Sequence, residues 1–160
     1  MKAIKNFRVL AIVLAVVAVG AFAALQQNAS PDATGKCGPY RNDKSVIISG
    51  QTFKTEVVTT KKEQATGLSN RPCIEPDQAM MFVFDTPGQY AIWMKEMKFP
   101  IDVLWVSPDK KVVGIERGVE PSTYPDSFAN KDQPATHILE LKSGRAKQLD
   151  VKIGTKVEIR

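Results

Sequence analysis

Two carboxylic acids in this 160-residue chain stand where apolar side chains would be expected. Asp102 alternates with Leu104 and Val106 in "PIDVLWV", and Glu140 lies between Leu139 and Leu141 in "THILEL". An ionised carboxylate in such surroundings needs a partner, because burying it unpaired is very costly. If the two faced one cleft about 5–9.5 Å apart, they could share general acid–base hydrolysis of a glycoside-like bond, with Lys95 or His137 assisting. If Arg71 or Lys95 met Asp102, the pair would be a binding site or a structural ion pair. If Asp102 bonded backbone amides, it would simply cap the turn entering its strand. Trp93 and Lys95 alternate in "WMKEM" and would share one face of a strand. They could form an aromatic wall with an ammonium for a carboxylate or phosphate. The plainer alternative is a lysine stem lying over the indole with its head in water, worth about 0.5–1 kcal/mol.

Other reaction classes find little support. His137 is the only histidine, and neither cysteine has a histidine or a second cysteine close by in sequence, so a zinc site is not indicated. There is no G-x-S-x-G, no cysteine–histidine arrangement with a free thiol and no phosphate-binding glycine loop. No metal or cofactor is implied. Cys37 and Cys73 are 36 positions apart. They read first as one disulfide, which would contribute roughly 3–4 kcal/mol in the chain-entropy picture, with a metal pair or reactive thiol as the alternative.

The elements that must position these residues are mostly strands. "SVIIS" and "FKTEVVTT" flank Gly50-Gln51 as a hairpin. Thr60 with Glu63 makes a capping box, which predicts a short helix from Lys61 to about Leu68. "AMMFVF" (79–84) suits a buried strand, "DTPG" a turn, and Tyr90 to Met97 the next strand. "IDVLWV" and "KVVGIERGVE" form a second hairpin around "SPDK". Residues 121–134 read as a loop, "THILEL" as a strand, "SGRAKQLD" as a helical turn capped by Ser143, and "TKVEI" as a closing strand. The pattern predicts an α+β, β-rich domain of about seven or eight short strands and one or two short helices. Its sheet would be curled, or closed into a partly open β-barrel.

This domain, residues 45–160, follows two other segments. Lys2, Lys5 and Arg8 precede an unbroken apolar run of 17 residues, Val9 to Leu25. That makes residues 1–25 a signal peptide or an N-terminal membrane anchor, the anchor preferred because the run is long for a cleaved signal. The polar stretch at 26–44 reads as a flexible tether. Without the leader's three basic residues the charge falls to 22 − 3 − 17 = +2. The charges are interspersed, so nucleic acid is not an expected partner. The expectation is an extracytoplasmic domain, anchored to the cytoplasmic membrane or secreted, with an unknown small molecule or envelope protein as partner.

Three segments carry a family resemblance: "GLSNR", "MMFVFDTPGQYAIWMKEMKFPIDVLWVSPDKKVVGIE" and "HILELKSGRAKQLDVKIGTKV". Together they resemble the domain of unknown function 192 family of bacteria and archaea, over about Ser45 to Ile159 and in the family's order. The most specific positions are Gly67, Leu68, Arg71, Met81–Phe84, Trp93–Lys95, Pro100–Asp102, Leu139, Glu140 and Gly144. The resemblance implies a compact β-rich fold, often behind a signal peptide or lipid anchor, and no established activity. Two positions depart from the family pattern. Ser69-Asn70 stands where the family usually has Met-x before the arginine, and Glu96-Met97 where it usually has Asn-Thr. Charged residues at strand positions with apolar neighbours make Trp93, Lys95, Asp102, Arg71 and Glu140 the candidate ligand-binding residues of a binding or accessory module.

Overall fold

The computed structural model describes residues 37–160. The leader and residues 26–36 of the tether, with the membrane expectation resting on them, lie outside the described residues. Among those described, no helix is long and apolar enough to cross a membrane.

Strands β1 (Lys44–Ile48) and β2 (Gln51–Val58) form the expected hairpin. Its two-residue turn is Ser49-Gly50, one position earlier than predicted, and both residues take positive φ (50° and 80°). That backbone twist matches the twist of the strands it joins. Helix α1 (Lys61–Thr66) carries the capping box: Thr60 accepts from the Glu63 amide, and the Glu63 side chain accepts from the Thr60 amide. Those Thr60 bonds hold the Glu63 carboxyl down at about 2. β2 then pairs in parallel with β3 (Gln78–Gly88), from Lys54 opposite Gln78 to Val58 opposite Phe82. A parallel pair needs a crossover, and α1 with residues 67–77 supplies it.

The remaining elements are β4 (Ala91–Trp93), β5 (Ile101–Val106), β6 (Val112–Val119), a 3-10 turn at Pro121–Thr123, β7 (Ser127–Ala129), β8 (Ala135–Lys142), α2 (Arg145–Gln148) and β9 (Val157–Ile159). Seven strands run in the order β6-β5-β8-β3-β2-β1-β9, and β4 pairs with β7 as a separate ribbon. The two edges of the large sheet meet at one end. Lys111 bridges to Lys156, the Val112 amide donates to Thr155 O (2.9 Å), and the Val157 amide donates to Lys110 O (2.8 Å). The fold is thus the expected β-rich α+β domain, with its sheet curled into a partly open barrel.

Two cores lie on the two faces of that sheet. Val46, Phe53, Met81, Leu104, Leu139 and Val157 form the inner one, joined by Ala146 of α2. Met80, Phe82, Val103, Trp105 and Ile138 form the outer one, covered by Leu68 and Ile74 of the crossover and by Ile92 and Met94. β5 serves both cores, which is why all six of its residues are buried. Each fully buried Leu or Ile here contributes about 1.5–3 kcal/mol of transfer free energy. Cys37 and Cys73 are disulfide-bonded, Cα atoms 5.0 Å apart, tying the segment before β1 to the crossover.

The structure corrects four local expectations. "DTPG" is not a turn: β3 runs on to Gly88, its pairing with β8 broken between Val83 and Gly88. The strand expected from Tyr90 to Met97 stops at Trp93. Beyond it, Glu96 takes φ 56° and the Met97 amide bonds back to Met94 O (3.2 Å), so Trp93, Lys95 and Met97 do not share a strand face. The 121–134 loop contains β7, which gives β4 its partner. Ser143 does not cap α2. Gly144 holds the cap position at φ 86° without a side-chain bond, and the carboxylate that reaches the helix start comes from Asp102.

Candidate functional site

Pairing register separates the two sequence-selected carboxyls. Asp102 lies opposite Leu141, and Glu140 lies opposite Val103. Leu141 belongs to the inner core and Val103 to the outer, so Asp102 faces into the barrel and Glu140 faces out beneath the crossover. The cleft that a hydrolytic carboxylate pair would need is not formed.

Asp102 is fully buried, and its two oxygens are both occupied. Oδ1 accepts from the Gly118 amide (2.9 Å) and Oδ2 from the Ala146 amide (2.7 Å). It is a tie between three segments rather than a cap on its own turn, and neither Arg71 nor Lys95 is its partner. Arg71 instead makes a two-pronged pair with Glu56, at 2.8 and 3.0 Å. Arg41 approaches the same carboxylate at 3.3 Å. Lys95 sits on an exposed turn with Nζ 5.9 Å from the centre of the Trp93 ring. Its backbone carbonyl accepts from Ser69 Oγ at 2.7 Å, and the Glu96 carbonyl accepts from the Asn70 amide at 2.8 Å. The two segments that depart from the family pattern, 69–70 and 96–97, are therefore bonded to each other. His137 belongs to the inner-face register. Burial, and then the charge of Lys110 at 3.2 Å, pull its pKa down to about 4.

Glu140 is different. It lies at the floor of a cavity of about 370 Å³ between α1, the 67–69 turn, the end of β3 and β4. Phe82, Phe84, Tyr90 and Trp93 line it, together with Leu68 and Ile138. The Phe84 and Tyr90 rings stack at 3.5 Å between centroids. Tyr90 crosses so close to Gly88 that a β-carbon there would meet the ring at 3.1 Å, which is why the strand carries no side chain at that point. Trp105 donates its indole N–H to the Tyr90 carbonyl (2.8 Å) and so pins the start of β4 to the sheet. Gly67 closes α1 at φ 48°, where an added β-carbon would come 3.3 Å from Phe82.

Most polar side chains around this cavity are already committed to backbone. Gln64 donates to Val83 O (2.9 Å), Thr66 to Lys62 O (3.0 Å) and Ser69 to Lys95 O (2.7 Å). The Glu140 carboxyl is buried, and among the described residues its Oε2 has no hydrogen-bond partner. Burial raises its pKa to about 8, with the Arg71 charge opposing weakly. Glu56, Met80 and Glu140 lie in one register row across β2, β3 and β8. With strands about 4.8 Å apart, the backbones of the two glutamates are therefore about 10 Å apart. On the Glu56 side of Thr66 and Gly67 is a second recess of about 350 Å³, where Arg41, Glu56, Lys62, Glu63 and Arg71 line the wall with Val58 and Met80.

Of the five predicted site residues, the cavity gathers Trp93 and Glu140. Arg71 stands in the adjoining recess, while Lys95 and Asp102 line neither. Glu56, Phe84, Tyr90 and Met97 were missed. Glu56 carried a usable signal, a charge beside Val57 and Val58 in a strand, the same kind of anomaly that singled out Asp102 and Glu140. Cys37, Cys73 and Glu75 are close enough together to suggest metal ligands, but the two sulfurs are bonded to each other.

The model of the domain of unknown function 192 family, described as an uncharacterized ACR, matches residues 44–159. The chain belongs to that family. Two crystal structures share the family fold. One is a protein of unknown function from Novosphingobium aromaticivorans, 30% identical, covering 71% of this chain and 83% of its own, with a TM-score of 0.67. The other is a putative transcription regulator from Sinorhizobium meliloti, 26% identical, covering 76% of this chain and 98% of its own, also with a TM-score of 0.67. No curated protein matches the chain.

Proposed function

We propose that this member of the domain of unknown function 192 family is a small-molecule binding module of the cell envelope, with the Glu140 cavity as its site. The observation that carries the reading is the buried carboxyl of Glu140, without a partner among the described residues, in the lining of a largely apolar, aromatic cavity. Folding gains nothing from a polar group left without a partner, whereas a ligand could supply one. The exposed Trp93, edge-to-face with exposed Tyr124 at 6.4 Å, adds an aromatic surface near the mouth. The disulfide suits an oxidising compartment outside the cytoplasm. In our reading residues 1–25 deliver the domain there and hold it on the membrane, and a cleaved leader would leave it secreted.

Ligand-observed NMR against a library of small, largely apolar compounds tests the site. Ser127 lines the cavity from an exposed position, so Ser127→Trp should fill its mouth and abolish binding without lowering Tm. Binding that Ser127→Trp leaves unchanged, or no binder at all, would count against the cavity as the site. Fusing residues 1–36 to a reporter active only outside the cytoplasm tests delivery; a silent reporter would overturn that part.

A further inference from the structure

We propose that the cavity selects an organic cation, a molecule with an apolar body of about one ring and a single ammonium head that docks on the Glu140 carboxylate. The inference rests on the binding reading above and names its ligand class. Among the described residues, Glu140 is the one carboxyl group lining the cavity. A bare metal ion would find too few oxygen ligands there, since hard cations need six or more. An anion would meet a lone carboxyl with no cationic side chain among the described residues that line the cavity. The nearby guanidinium, Arg71, is held in its two-pronged pair with Glu56, and Arg41 is shared among Asp43, Glu56 and Glu63. The ring faces of Phe, Tyr and Trp attract a cation, most strongly where water is excluded. An ammonium also offers several N–H donors to a carboxyl that the described residues leave without a hydrogen bond.

Binding balances by loss of one proton. The ligand arrives as R–NH₃⁺, Glu140 arrives largely as the neutral acid, and the complex is the ammonium–carboxylate pair with H⁺ given to the solvent. Arg71 on the crossover is the charged group that acts on Glu140, and it favours the ionised form weakly; Met80 and Val103, which flank it on β3 and β5, carry no charge. Burial places the carboxyl at about 8. At pH 7 it is therefore about nine-tenths protonated, and docking a cation should release about 0.9 proton.

Isothermal titration of the full-length protein with phenethylamine, phenethyl alcohol and phenylacetate, in buffers of different ionisation enthalpy, tests this. The amine should bind about 10- to 100-fold more tightly than the alcohol, with phenylacetate weaker than both. Its affinity should rise about tenfold from pH 6 to pH 7 while that of the alcohol stays flat. Glu140→Gln should erase the amine's advantage over the alcohol and its proton release. Amine and alcohol binding alike in the wild type, without proton release, would overturn the choice of head group while the cavity remained a site. No binding by any of the three would overturn the inference itself, and the wider library then decides the cavity separately. The wild-type pH dependence distinguishes these outcomes even if Glu140→Gln proves unstable.

Discussion

Replacing Glu140 by glutamine should make the stability of this protein less dependent on pH, and the size and sign follow from its surroundings. In the unfolded chain the carboxyl titrates near 4.5, and in the folded state burial raises it to about 8. Between those values the native state holds more protons than the unfolded state, so stability falls as pH rises. The penalty is absent below about pH 4.5, grows through neutrality and is complete above about pH 8. From pH 5 to pH 8 the linkage amounts to about 3–4 kcal/mol. Glu140→Gln removes it, so mutant and wild-type stabilities should separate by that amount across the window, the mutant gaining relative to wild type at the alkaline end. The glutamine amide brings an offset of its own, roughly 1–3 kcal/mol if its donors lack partners. That offset is independent of pH, so the change with pH is the diagnostic quantity. Urea unfolding at half-unit steps from pH 5 to 8, with the disulfide intact and tryptophan fluorescence as signal, measures it. Parallel pH profiles for mutant and wild type would refute the claim that Glu140 is buried without a partner.

Asp102→Ala frees the half-buried amide of Gly118 and the buried amide of Ala146 and should cost about 2–4 kcal/mol in urea unfolding while leaving cavity binding intact; selective loss of binding would contradict the placement of Asp102 inside the barrel. Arg71→Ala leaves the Glu56 carboxylate buried beside the weaker contact with Arg41 and should cost about 2–4 kcal/mol. A double-mutant cycle with Glu56→Gln should recover most of that cost, and simple additivity would show that the pair is not coupled. Gly67→Ala faces both a positive φ and the Phe82 ring at 3.3 Å, and should lower stability by about 1–3 kcal/mol with weakened binding; an unchanged Tm would remove Gly67 from the cavity wall. Reducing the Cys37–Cys73 bridge, which spans 36 positions, should cost roughly 3–4 kcal/mol, and two thiols alkylated without reductant would disprove the bridge.

The sequence determined much of this fold because the relevant signals are local. The Ser49-Gly50 region, the Thr60–Glu63 capping box and the β-branched runs act over a few residues, and each gave an element close to where it was expected. Propensity also marked Asp102 and Glu140 as anomalies, since a charge between apolar neighbours in a strand requires explanation wherever the strand lies. What they do was decided by pairing. The register of β5 against β8 places Val103, not Asp102, opposite Glu140, and that one-residue offset sends the two carboxyls to opposite faces of the sheet. The parallel pairing of β2 with β3 laid the crossover over the outer face and made a cavity above Glu140. Two loops far apart in sequence, bonded through Ser69 to Lys95 and Asn70 to Glu96, ended β4 early and left Lys95 on the surface. Composition and periodicity record which side chains want burial, but not which distant strand will cover them. The amino-acid order alone therefore fixed a curled β-rich domain with two displaced carboxylates, and long-range pairing made one a structural tie and left the other buried without a partner among the described residues.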